Sequence, residues 1–237
     1  MPKYTRPGVE AAARLAKRTD DKQLWELIEG QYSDMILEKG GSTLSELDNF
    51  CESLGKKLQQ NPYTLSKADL LEVINWKFTK GKPRHALKKL LNSNSDEDIS
   101  QAWNAAAAYA QSNAKCAIDS LSILKGVGPA TASAFLSLYN PENFVFMDDE
   151  VIECLYEGKR RYTVKIYLDV NDKCITIANT LGWTPRRVGR ALWTAARIQA
   201  SGGNDLTVHT SNDTDIRKMP RSATPVVNTR TRKKQKL

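Results

Sequence analysis

The stretch Leu124–Val151, LKGVGPATASAFLSLYNPENFVFMDDEV, decides how the rest of this chain is read. Leu121 and Leu124 close one run of helical spacing. Lys125-Gly126-Val127-Gly128 then turns the chain, and Pro129 opens PATASAFLSLY. Proline suits the first position of a helix, where a missing N–H costs nothing. The two glycines permit positive φ and close approach of backbone to a neighbour, and the valine between them is placed to point inward and pin two helices. Ala130, Ala132 and Ala134 keep the second helix slim. The frame is therefore L-x-x-L-x-G-h-G-x-x-x-A, with h apolar.

The frame resembles the helix-hairpin-helix motif, which implies free N–H groups and a helix N-terminus suited to a phosphate oxygen with no side chain reading a base; the plain alternative is a structural turn between two helices. Outward from this stretch the apolar spacing is helical almost everywhere. Leu24, Leu27, Ile28, Met35 and Ile36 recur through DKQLWELIEGQYSDMIL, which Gly40 and Gly41 are expected to end. Ser42/Thr43 with Glu46 resembles a capping box before LSELDNFCESLGKKL, and Ser66 with Asp69 and Ser95 with Asp98 repeat the signal. Pro185 after Thr184 opens a last helix over PRRVGRALWTAARIQ. Only NFVFM, KIYLDV and KCITIA have the β-branched or aromatic density of strands. The expected fold is all-α, a multi-helix domain over residues 1–200 with a helical hairpin near 115–140.

Charge separates this domain from the C-terminal segment. Of a net +8, residues 201–237 hold eight Lys/Arg against three Asp, leaving 27 Lys/Arg against 24 Asp/Glu for the rest. That tail is Ser/Thr/Asn/Pro-rich, lacks a hydrophobic period and ends in RTRKKQKL, so a disordered basic segment is expected, suited to nuclear import or phosphate contact. Cys51, Cys116, Cys154 and Cys174 lie far apart, which gives no zinc or iron–sulfur spacing and implies a reducing compartment. Neither a metal nor a cofactor is expected. With no apolar signal core at the N-terminus and no apolar run of about 18 residues, no membrane contact is expected either.

These motifs together resemble the helix-hairpin-helix DNA glycosylase superfamily, over roughly residues 66–200. In that superfamily the hairpin is followed, after one helix and an extended link, by an aspartate at the start of a helix facing a flipped base. Asp148 and Asp149 stand eighteen and nineteen positions after Ala130, and VFMDDEVI is similar to the aspartate segment of the alkylated-base branch. Backbone-cleaving members carry a nucleophilic lysine two residues after the second hairpin glycine; Ala130 stands there in this chain, which excludes Schiff-base chemistry at that position. A closer likeness is to a group of eukaryotic proteins that resemble this chain in Trp76-Lys77, Gly81-Lys82, Arg84, KGVGPATAS and Tyr162-Thr163. In that group the position of Asp148 is often small or neutral, which favours Asp149 for a special role.

The resemblance implies DNA as partner, the nucleus as location, and phosphate contacts from Lys125, Gly126, Val127, Gly128 and Ala130, with Lys80, Lys82 and Arg84 adding positive charge. It further implies Asp149, and less strongly Asp148, as the carboxylate that stabilises an oxocarbenium-like sugar while a base is released. The plain alternative for Asp149 is a helix N-cap, and for Trp76, Trp183 and Trp193 core packing rather than base stacking. Two function classes remain: a monofunctional base-excision glycosylase without lyase activity at Ala130, or a non-catalytic nuclear DNA-binding or adaptor protein of the same fold.

Overall fold

In a computed structural model the described residues are 6–60, 64–156 and 158–202, and they contain helices and no strand. From residue 203 onward the expected basic tail lies outside the described residues. The helices are α1 Pro7–Leu15, α2 Lys22–Glu29, α3 Tyr32–Leu58, α4 Lys67–Lys80, α5 His85–Asn92, α6 Asp96–Tyr109, α7 Ala114–Ser122, α8 Pro129–Tyr139, α9 Asp149–Leu155, α10 Val164–Leu181 and α11 Pro185–Ala200. Helix α11 packs against α1, α2, α9 and α10, while α8 packs against α3, α4 and α7, and α3 bridges the two groups.

Side-chain caps set most of these boundaries. Ser66/Asp69 and Ser95/Asp98 form full capping boxes at α4 and α6, and Asn113, Thr163 and Thr184 cap α7, α10 and α11 by accepting one backbone N–H each. Near the N-terminus the boundaries differ from expectation. The chain breaks between α2 and α3 at Gly30-Gln31, and the glycine pair expected to end a helix instead bends α3, with Gly41 at φ 63° and ψ −159° inside it. The early break turns Leu27 outward, where it is exposed.

All three strand-like runs are resolved differently. KIYLDV and KCITIA fall within α10, because Ile166, Tyr167, Val170, Cys174, Ile177 and Ala178 share its buried face at helical spacing. NFVFM is an extended link without a sheet partner. It buries Phe144, Val145 and Met147, and buried backbone groups need partners. Side chains supply them: Asn171 of α10 accepts from Val145 N at 2.8 Å and donates to Asn143 O at 2.9 Å, and Ser133 Oγ of α8 accepts from Met147 N at 3.0 Å. The strand-like composition thus reflects burial on both sides of a single extended segment, fixed in place between α8 and α10.

Candidate functional site

The turn between α7 and α8 is held from below by α5. Asn94, just past α5, accepts from Lys125 N at 2.9 Å and donates to Lys125 O at 3.0 Å and to Leu91 O at 2.9 Å, clamping the turn like a short rung of ladder. Gly126 sits at φ 81°, and a Cβ there would meet Leu91 Cγ at 3.0 Å and both Leu87 O and Leu90 Cβ at 3.3 Å. Glycine is required at 126 by conformation and by α5 together. Gly128 differs: its φ is −113°, and a Cβ built on it meets no atom within 4 Å. Val127 is 6 % exposed and joins the core, so it offers a ligand only backbone.

Hydrogen bonding leaves this turn with unused donors. Val127 N donates to Leu124 O, and Thr131 N and Ala132 N both donate to Gly128 O. The N–H groups of Gly126, Gly128 and Ala130 have no hydrogen-bond partner among the described residues. They belong to the segment that leads into the eleven-residue helix α8, whose Pro129 lacks a donor. Such a helix start carries partial positive charge and favours an anion.

Opposite the turn, a cleft of about 320 Å³ opens between 126–131, the α4–α5 connection and the 146–149 link. Its walls carry Gly126, Val127, Gly128 and Ala130 from the turn, Lys82 and Arg84 from the connection, and Asp148 and Asp149 from the link. Eight of the ten residues singled out from sequence therefore meet around one space, at the small end of ligand pockets of about 300–1,000 Å³. Lys125 is exposed beside the turn without lining the cleft, its backbone engaged by Asn94.

Lys80 is the correction. Its side chain does not face solvent as a phosphate contact must; the residue is 5 % exposed. The ammonium lies 4.4 Å from the Trp193 ring centroid and 5.3–5.5 Å from those of Trp76, Tyr32 and Phe146, with Asp148 Oδ2 at 2.9 Å. The basic run hid this, although helical spacing signals it: Lys80 is the last residue of α4, one turn beyond the buried Trp76. Aromatic faces and one carboxylate replace water around the charge. Trp76, Trp183 and Trp193 are all buried, so they act as core; Trp76 and Tyr32 both donate to Asp48 Oδ1 at 2.8 Å, which fixes the lysine's surroundings.

The two aspartates divide their roles differently from expectation. Asp148, not Asp149, is the N-cap of α9, with Oδ1 accepting from Asp149 N at 2.9 Å. Its Oδ2 is buried and makes an ionic contact with Lys80 rather than an aligned hydrogen bond. Asp149 is the first residue of α9 and stays 21 % exposed at the cleft wall. Tyr162 OH donates to its Oδ1 at 2.7 Å, and Arg160 Nη1 lies 3.0 Å from its Oδ2. Both oxygens receive donors, which orients the carboxylate as a fixed negative charge at the cleft. Burial and the bond to Asp149 push the Tyr162 phenol well above its ordinary range.

Behind Asp149 the charges continue as a chain. Arg160 also binds Glu153, Glu153 binds Arg6, and Arg6 lies 3.7 Å from Glu150. Burial, reinforced by the nearby Asp148 charge, raises the Glu150 carboxyl to about 7. Lys77, Phe146 and Tyr162 also line the cleft, and Arg84 lies 5.8 Å over the Tyr162 ring. Burial lowers the Lys77 amine, against the opposing pull of Asp148 and Asp149. Sequence reasoning missed Asn94, Arg160 and the role of Tyr162, because each acts through a contact made across the fold; it named Lys77 beside Trp76 and gave it no role of its own. Among the described residues no His/Cys/Asp/Glu group has the geometry to hold a metal ion. Compared with known proteins, the chain matches no family model, no curated protein and no solved structure.

Proposed function

We propose that this protein binds DNA through its phosphate backbone at the 126–130 turn, and that the adjoining cleft receives one nucleotide of the bound strand. The observation that carries this reading is the set of three unpaired N–H groups at 126, 128 and 130, facing a cleft whose opposite wall presents Asp149. A phosphate accepting from those donors leaves base identity unread, so binding is independent of sequence and depends on salt through Lys82, Arg84, Lys125 and the basic C-terminal end. The fold assignment that goes with it, a helix-hairpin-helix DNA-glycosylase-like domain acting in the nucleus, rests on the sequence motifs and on this arrangement.

Within that reading Asp149 is the residue placed for chemistry. Breaking an N-glycosidic bond builds positive charge on the sugar, and a carboxylate held by Tyr162 and Arg160 in a partly dehydrated cleft stabilises that charge without first reorganising. The helix-capping duty that competes for Asp149 is met by Asp148. The non-catalytic reading, a nuclear DNA-binding protein of the same architecture, draws on the same turn and differs only in what the cleft does. Incubation of the protein with duplexes carrying a panel of damaged bases, followed by alkali, separates the two. Strand breaks that appear only after alkali and vanish in Asp149→Asn support base excision. Salt-dependent binding with no break on any lesion assigns the binding role.

A further inference from the structure

At the far end of α8 from the turn lies a second cavity, of about 280 Å³, that takes no part in the DNA reading. Helix α8 has eleven residues, so the cavity beside Leu138 and Pro141 stands about 16 Å from the 126–130 turn. Its floor is a close approach of α3 to α8: Gly55 is buried there, and a Cβ on it would meet Leu138 O at 2.9 Å. Around it stand Glu52 and Lys56 of α3, Glu29 of α2, and Arg186, Arg187 and Arg190 of α11.

Three guanidiniums share two carboxylates. Arg186 meets Glu52 at 2.7 Å, but Arg190 reaches Glu29 and Glu52, and Arg187 reaches Glu29, only at 3.4 Å. Arg190 Nε is buried without a hydrogen-bond partner, and the exposed Lys56 has no ion-pair partner among the described residues. Four cations against two carboxylates leave an excess of two positive charges around one cavity. Aromatic faces hold two of the guanidiniums in place, Arg187 at 3.8 Å from the Trp183 ring centroid and Arg190 at 4.0 Å from that of Tyr32. Planar forks fixed in this way suit an oxyanion that accepts several N–H bonds at once.

We propose that this cavity binds a phosphate monoester, whose charge of about −1.5 to −2 at neutral pH matches the excess, where a phosphodiester brings only one charge. The ester arrives on a small molecule or on a phosphorylated side chain, and the chemistry recognised is the same. The anion takes Arg186 and Arg190 from Glu52, the more exposed carboxylate at 36 % against 17 % for Glu29. Glu52 turns to solvent, and Lys56, one turn further along α3, adds its charge to the anion. This site is independent of DNA binding at the turn and uses none of its residues.

The test is a nitrogen-15 NMR titration of the full chain with O-phosphoserine at fixed ionic strength, with serine as control. We expect saturable shifts at the amides of Gly55, Lys56, Arg186 and Arg190, with a Kd of about 1 mM or tighter, and none there with serine. Glu52→Gln keeps an acceptor for Arg186 and removes the competing charge, so it should tighten phosphoserine about threefold, while Lys56→Gln should weaken it about threefold. An ion-pair cluster that serves only the fold gives no gain in affinity from Glu52→Gln. Lys56 is exposed, so its variant decides the matter should Glu52→Gln fail to fold. A short phosphoserine peptide distinguishes the sources: tighter binding than phosphoserine names a phosphorylated side chain, and equal binding names a small molecule. Phosphoserine shifts confined to the 126–130 amides, a folded Glu52→Gln that binds no tighter, or a Lys56→Gln that binds as well as the parent overturns the proposal. So does an α11 face that responds to duplex DNA and not to phosphoserine.

Discussion

The two glycines of the turn respond oppositely to the same added methyl group, because one is glycine for the fold and the other has no need to be. Gly126→Ala forces a side chain into φ 81°, which costs about 1–2 kcal/mol. It also drives the new Cβ to 3.0 Å from Leu91 Cγ and 3.3 Å from Leu87 O and Leu90 Cβ. Since α5 must give way, a total loss of about 2–3 kcal/mol is expected. Gly128→Ala meets nothing within 4 Å and keeps an ordinary extended φ of −113°. Reduced freedom of the unfolded chain gains about 0.4–1 kcal/mol, and replacing glycine by alanine at an N-cap loses a few tenths or more, so stability should stay within about 0.5 kcal/mol of the parent. Binding should move the other way. A methyl group beside the free N–H of residue 128 keeps a phosphate oxygen from it, and losing one charge-assisted bond of about 1.5–3 kcal/mol weakens duplex affinity roughly tenfold to a hundredfold. Urea unfolding followed by circular dichroism gives the stabilities, and fluorescence anisotropy with a labelled duplex at fixed salt gives the affinities. If Gly128→Ala binds as tightly as the parent, or unfolds more than about 1.5 kcal/mol easier, the assignment of the two glycines is wrong.

Asp148→Asn retains a capping oxygen but strands the buried Lys80 ammonium, and should destabilise by about 3 kcal/mol in urea; adding Lys80→Met should recover most of that loss, and no recovery would mean that the ion pair is not the reason. Asn94→Ala removes the clamp on Lys125 and leaves its N–H and C=O without their partners, at a cost of about 2–3 kcal/mol by the same assay. Glu150 supplies a pH dependence: its carboxyl is raised to about 7 from an ordinary 4.5, so the folded state holds the proton more tightly than the unfolded chain. Its contribution is complete below about pH 4.5 and is lost as pH rises to 7, by up to about 3 kcal/mol. Glu150→Gln should flatten stability across that window and gain most above pH 7, and an unchanged pH profile would refute this.

How much of the molecule was legible in its sequence depends on the range of each interaction. Capping boxes at Ser66 and Ser95 and the Thr184-Pro185 start are local, and each marks its helix correctly. The spacing that carries Lys125–Ala130 and Asp148-Asp149 is local too, and those residues surround one cleft apart from Lys125. What failed was non-local. NFVFM has the composition of a strand because both of its sides are buried, and only the distant Asn171 and Ser133 show that its backbone is satisfied without a sheet. Lys80 belongs to a basic run in sequence, yet its cage comes from Tyr32, Phe146 and Trp193, all distant from it along the chain. Which aspartate caps α9 turned on a single residue of register, the least determined feature of any helix start.

The central claim, that the 126–130 turn holds a phosphate, is tested most directly by the backbone amides themselves. In a nitrogen-15 NMR titration of the full chain with a short duplex, the amides of Gly126, Gly128 and Ala130 should show the largest shifts and lose them as salt is raised, with Asp149 and Tyr162 showing smaller ones. Shifts that gather instead on the Arg186–Arg190 face of α11, with those three amides unmoved at saturating DNA, would contradict it.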